Sequence, residues 1–222
     1  MNDCHVRRSR PIIESPDVRV LVLDAATDAC SVALIANGTV LASRHAVVGR
    51  GHAERLVPMV DDLLGDVRPD AVLVDCGPGS FTGVRVGLAA ARAFAFAWQV
   101  PVQGYSALAL LAATALVEDP ALRGVTAAII GGHGELFVQR FTGPELIAQG
   151  ELRSLVPADA ARFAEDDLVV GSGAPALLVA RGDHHGDDRL PIAANAVHLP
   201  PAFTHLPATP IYGRAPDAKP AA

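Results

Sequence analysis

VRVLVLDAATDACSVALIANGTVLAS, residues 18–43, is the stretch that decides the fold. Val18–Asp24 is a near-continuous aliphatic run, the pattern of a strand buried on both faces. Asn37-Gly38 sits between two apolar runs, and that pair tolerates the positive φ angles of a type I′ turn, so Cys30–Ser43 reads as a β-hairpin. Three consecutive strands therefore form the first ordered segment. Upstream, residues 1–19 are polar, contain Pro11 and Pro16 and lack periodicity, which predicts a flexible arm. Arg7, Arg8 and Arg10 are followed by no long apolar run, so a signal peptide is not expected.

Downstream of the hairpin, Ala53, Leu56, Val57, Val60, Leu63 and Leu64 recur at three and four, marking a helix over His52–Leu64 with a kink expected from Pro58 near Glu54. DAVLVDCGPGS is a strand running into a Gly/Pro break, and Thr82–Trp98 is a helix dense in glycine and alanine. VPVQGY is a short strand, and Ser106–Val117 a further helix with Ser106 as N-cap. VTAAIIGGHGELFVQRF reads as a second hairpin turning at Gly131–Gly134. A helix from near Pro157, the strand LVVGSG and a helix from near Ala174 follow, and from Asp183 on the chain is expected to be loop. The order of elements predicts an α/β protein with a central sheet flanked by helices, a first lobe over residues 20–119 and a smaller second lobe over 120–222.

Half of the 222 residues are apolar, 19% are charged and 5% are aromatic. Acidic side chains outnumber basic ones, 24 to 18, for a net charge of −6. A protein holding nucleic acid mainly by neutralising phosphates carries a basic excess instead. Cys4, Cys30 and Cys76 lie far apart with no CxxC, which excludes a zinc ribbon and a disulfide-stapled module and suits a reducing compartment. Residues 93–117 carry no formal charge. Gln99, Pro101, Gln103 and Gly104 divide that stretch into buried soluble elements, so no membrane span is expected and the chain is assigned to the cytoplasm.

GPGSFTG, Gly77–Gly83, lies between a buried strand and a helix. It can be a phosphate cradle at a helix N-terminus, or a tight turn in which Gly77, Pro78, Gly79 and Gly83 serve the backbone. It has no Lys for a P-loop, its third glycine falls one residue late for a dinucleotide fingerprint, and Phe81 stands where a nucleophile elbow needs Ser. Asp24, with Thr27 and Asp28 after it, can hold a metal–phosphate complex or cap its own turn. His52 has Leu56 rather than a second His four residues on, so a two-His helical metal site fails. DHHGDD, Asp183–Asp188, has enough ligand atoms for a metal but is also what a solvated loop looks like. His133-Gly134-Glu135 lacks the PCxxC that a zinc deaminase requires.

VLDAATDACSVAL, GHAERLVPMVDDLL, DCGPGSFTGVRVGLAAARAFA and VPVQGYSALALLA closely resemble the TsaB (YeaZ) family in order and spacing across residues 20–117. PIYGRAPDAK, Pro210–Lys219, is similar to the family's C-terminal P.Y.R.PDA signature. The resemblance implies the two-lobed actin-like ATPase (ASKHA) fold, here with a shortened second lobe. It implies a subunit that works with its paralogue TsaD and the ATPase TsaE to place a threonylcarbamoyl group on a tRNA adenosine. In that fold phosphate is gripped by the first hairpin of each lobe, which makes Asp24 and Thr27 the weak nucleotide candidates. The second hairpin reads Ile130-Gly131-Gly132-His133 where TsaB relatives usually have Asp-Ala-Arg, which argues against nucleotide hydrolysis by the isolated chain. The paralogue's HxxxH metal motif is broken here by Leu56.

The resemblance further implies docking on TsaD through the two first-lobe helices, a homodimer when the partner is absent, tRNA reached only through the complex, no metal or cofactor of its own and at most an ATP or ADP contact within the complex. Thr82–Trp98 is apolar or small nearly all round, more than one lobe covers from one side. The expected contact residues are Leu56, Met59, Val60, Leu63, Val84, Gly87, Leu88, Ala91 and Ala95, with ordinary core as their other reading. Two rivals are an actin-fold ATPase or small-molecule kinase acting on its own, through Asp24 and the Gly77–Gly83 turn, and a peptidase, for which no activated Ser or Cys is evident.

Overall fold

The computed structural model describes residues 18–213. Residues 1–17 of the expected arm, with Cys4, and residues 214–219 of the C-terminal motif lie outside the described residues. Arg19, assigned to the arm from sequence, already belongs to the first strand.

The opening hairpin forms as its sequence requires. β1 (Arg19–Asp24) pairs antiparallel with β2 (Ala29–Ala36), which pairs antiparallel with β3 (Thr39–Val47). Asn37 and Gly38 both have positive φ, 52° and 69°, as a type I′ turn demands. α1 (His52–Leu64) runs unbroken through Pro58. β4 (Ala71–Asp75) joins β1 in parallel, α2 (Phe81–Trp98) crosses over, β5 (Val102–Tyr105) joins β4 in parallel, and α3 (Ala107–Glu118) leaves the lobe. The sheet order is β3-β2-β1-β4-β5.

The second lobe repeats the plan. β6 (Gly124–Ile130), β7 (Leu136–Thr142) and β8 (Ile147–Leu155) are antiparallel. α4 (Pro157–Phe163), β9 (Leu168–Val170), α5 (Ala174–Arg181) and β10 (Gly186–Asp187) complete it. Its sheet order, β8-β7-β6-β9-β10, matches the first strand for strand, although no repeat is visible in the sequence. β9 and β10 are three and two residues long, so this lobe is the reduced one. Sequence reasoning missed β8. It is an edge strand with Gln149, Gly150, Glu151 and Arg153 exposed, so it carries no apolar alternation to read. The segment after Asp183, expected as loop, also holds β10 and two 3-10 turns, Ala193–His198 and Pro201–Phe203.

Five layers result. β1 divides its side chains between two cores by the strand period: Leu21 and Leu23 face α1 and α2, whereas Val20 and Val22 face α3. The α3 core also takes Val125, Ala127 and Ile129 from β6, Phe141 from β7 and Ala193 and Ala196 from the first 3-10 turn. α3 therefore lies between the two sheets, with ten of its twelve residues buried. Among the described residues no helix is long and apolar enough to cross a membrane.

Leu111, 1% exposed on α3, tests this shared core. Leu111→Ala should cost about 2–5 kcal/mol in urea unfolding. Trp98 fluorescence and far-UV circular dichroism should still report one coincident transition, because neither lobe keeps a complete core without α3.

Candidate functional site

A cleft of about 880 Å³ opens between the lobes, lined by Thr27, Ser80, Phe81 and Arg85 of the first lobe, Ile130 of the second and Tyr212 of the C-terminal segment, among others. The two sequence candidates for nucleotide contact are placed differently. Thr27 lines the cleft, and its Oγ1 accepts from Ala29 N at 3.3 Å. Asp24 does not reach the cleft. It is fully buried; Tyr105 donates its hydroxyl to Oδ2 at 2.9 Å and Ala26 N approaches Oδ1 at 3.4 Å. The approach of Ala26 N to Oδ1 is the contact that a turn cap makes.

Asp24 also meets Asp75, at the carboxyl end of the neighbouring strand, whose Oδ1 accepts from Gly77 N at 2.7 Å and whose Oδ2 accepts no N–H or O–H hydrogen bond among the described residues. Sequence reasoning missed this pair because its members lie 51 residues apart and only the parallel β1–β4 register brings them together. Burial pushes the Asp24 carboxyl up to about 6. Burial, then the charge of Asp24, holds Asp75 well above the usual carboxylate range.

The Gly77–Gly83 segment is a turn built for backbone contact. Gly77 has φ 93°. A Cβ on Gly79 would lie 2.0 Å from Ala26 O, and one on Gly83 would lie 2.1 Å from Ala25 O. Pro78 is buried beside them. Ser80, whose N donates to Ala26 O at 2.6 Å, caps α2 by accepting Gly83 N at its Oγ. Ser80 is thereby a helix cap. Ser106 stands at the α3 N-cap as expected, but its side chain makes no cap hydrogen bond.

His52 is structural too. Its Nε2 donates to Thr27 O at 2.7 Å and lies 3.2 Å from Ala29 O, pinning the β1–β2 turn onto α1. In DHHGDD, Asp183 accepts from Arg181 and from the backbone of His184 and His185, and Asp187 pairs with Arg189. No group of three or more His, Cys, Asp or Glu able to hold a metal occurs among the described residues.

The expected contact residues need a correction. Leu56, Val60, Leu63, Val84, Gly87, Leu88, Ala91 and Ala95 are buried in the chain's own first-lobe core, and only Met59 is half-exposed. Of the apolar stripe that periodicity found on α1, Leu56, Val60, Leu63 and Leu64 turn to the sheet, whereas Ala53 and Val57 are exposed. The outward face of α2 is a different set: Ala89, Ala93, Phe96 and Ala97 are exposed and Val86 and Ala90 half-exposed. Phe96 is 80% exposed. α1 turns Glu54, Arg55, Val57, Asp61 and Asp62 outward.

Two lobes of one repeated topology facing across a cleft define a protein of the actin-like ATPase fold class. The comparisons narrow this. The family model for TsaD, tRNA N6-adenosine threonylcarbamoyltransferase, matches residues 42–165, more than half of the chain. The Escherichia coli tRNA threonylcarbamoyladenosine biosynthesis protein TsaB is 42% identical over 125 residues, 54% of this chain and 53% of that protein. The alignment thus spans about half the length of that relative. An uncharacterised Mycobacterium tuberculosis protein is 34% identical over 91% of this chain and 95% of its own length. The solved structure of YeaZ from Pseudomonas aeruginosa has a TM-score of 0.74 and 32% identity, covering 88% of this chain and 99% of that one. The chain belongs to the TsaB (YeaZ) family.

The buried carboxyl pair gives a pH test. With a folded value near 6 against an ordinary 3.8, Asp24 binds its proton more tightly in the folded state. Its contribution to stability is complete below the ordinary value and is lost as pH rises through the folded one. Asp24→Asn should therefore melt a few degrees above wild type at pH 8, with the gap closing towards pH 4, as read by calorimetry; a gap that is constant with pH contradicts this.

Proposed function

We propose that this chain is the docking subunit of the machinery that makes N6-threonylcarbamoyladenosine on tRNA, binding and supporting a catalytic TsaD-type paralogue rather than transferring the group itself. The observation that carries this is the outward half of α2, where Ala89, Ala93, Phe96 and Ala97 give an exposed apolar surface on an 18-residue helix. A soluble protein that keeps such a face on a rigid helix has a use for it, and small side chains let a partner helix come close.

Three further features support the assignment. The E. coli relative is named for threonylcarbamoyladenosine biosynthesis. The helix whose counterpart in the paralogue carries HxxxH spends its His52 on backbone carbonyls and has the fully buried Leu56 four residues on. Asp24 is sealed beneath the cleft rather than open to it. In this scheme the ATPase TsaE joins the assembled pair, any ATP or ADP contact arises within it, and tRNA is met through the complex, in keeping with the net charge of −6. Without the paralogue the same face pairs two copies of the chain.

Ala93→Glu places a charge on the exposed face and should fold normally, since Ala93 touches no core. It should weaken capture of the cognate TsaD paralogue at least about tenfold in a titration by calorimetry. A variant that binds as wild type does would overturn this placement of the interface. Ala91→Glu is unsuitable, because Ala91 is fully buried and the charge would strike the core.

A further inference from the structure

After the second lobe the chain returns to the first. Leu206 pairs with Gly104 by two backbone hydrogen bonds, 2.7 and 3.1 Å, closing the outer edge of β5. Arg92, on α2, donates to Ala208 O at 2.6 Å, and Ile211 N donates to Cys76 O at 2.8 Å. Ala208 and Ile211 pack against the core beneath α1 and α2. Arg85, one flank of the same helix, donates to the Tyr212 hydroxyl at 2.8 Å and to Phe81 O at 2.9 Å, with its guanidinium 3.3 Å above the Phe81 ring. One residue later the strap is on the other lobe: a Cβ on Gly213 would lie 2.3 Å from the Phe137 ring of β7.

Residues 206–213 thus touch the second lobe at one end and grip α2 at two points almost two turns apart, on the side bordering its outward face. Ala208 and Ile211 extend the core formed by the buried face of α2, Val84, Leu88, Ala91 and Ala95, and the Arg85 and Arg92 hydrogen bonds are made in addition to that apolar packing. Arg85 and Arg92 commit long side chains to backbone and aromatic partners on a segment that arrives from elsewhere, which costs rotamer entropy and gives position in return.

We propose that the strap 206–213 is a latch that fixes α2 in register with the second lobe, with Arg85 and Arg92 as its positioning residues. Partner docking and the seating of the strap, whose residues 210–213 line the cleft, are then linked, and the linkage runs both ways. This rests on the docking role proposed above. A partner bound to α2 stabilises the seated strap, and a loosened strap lets α2 rock on its core and weakens the partner.

The full chain and its cognate TsaD paralogue provide the test. Arg92→Ala should weaken the complex about tenfold, and Arg92→Lys, which restores one donor to Ala208 O, should recover it. Tyr212→Phe removes only the hydroxyl and should weaken it less. Complex formation should slow hydrogen exchange at the Ile211 amide. If wild type forms no complex, the docking role itself fails. If wild type binds but Arg92→Ala binds equally tightly while its Ile211 amide exchanges faster, the strap is loose without consequence and the latch is refuted.

Discussion

A single helix with almost no surface holds the molecule together. α3 presents alanine and leucine in every direction, and each direction meets apolar side chains: Val20 and Val22 from the first sheet, Val125, Ala127 and Ile129 from the second, and Ala193 and Ala196 from the turn beside it. Because one core serves both lobes, they cannot part without exposing it, and the cleft between them has an opening set by packing. The opposite face of the first sheet is covered by α1 and α2, and the outer side of α2 is left to solvent. The architecture thus separates a closed middle from an available exterior.

The polar interior follows the same division. Asp24 and Asp75 stand at the carboxyl ends of adjacent parallel strands, where an α/β protein can present groups to a ligand. Here Tyr105 donates to one of them and the backbone of Gly77 to the other. The glycines above them bring the backbone of residues 79 and 83 against the carbonyls of Ala26 and Ala25. Space that glycine frees in a turn is used by the protein's own main chain. His52, a residue type that invites a metal assignment, donates to that same β1–β2 turn. Cys30 and Cys76, buried nearby, have thiols pushed up to about 11 and about 12 by burial, so neither is a reactive thiolate.

The sequence by itself determined the first lobe almost element by element, because strand period, the Asn37-Gly38 turn and the helical spacing of Leu56, Val60 and Leu63 are local signals that tertiary contacts reinforce. It also carried the family, through motifs in that lobe and the Pro210–Lys219 segment near the C-terminus. It did not give β8, whose edge position leaves its side chains polar, nor the matching of the two lobes, which lies in strand order rather than in residue type. Only the tertiary structure decided which side of each helix is inside. Periodicity finds the apolar face of α1 and α2 and cannot tell a face turned to its own sheet from one turned to a partner. The Asp24–Asp75 pair and the strap on Arg85 and Arg92 were likewise beyond the sequence, since both join residues far apart in the chain, and only the path of the folded backbone fixes which distant groups meet.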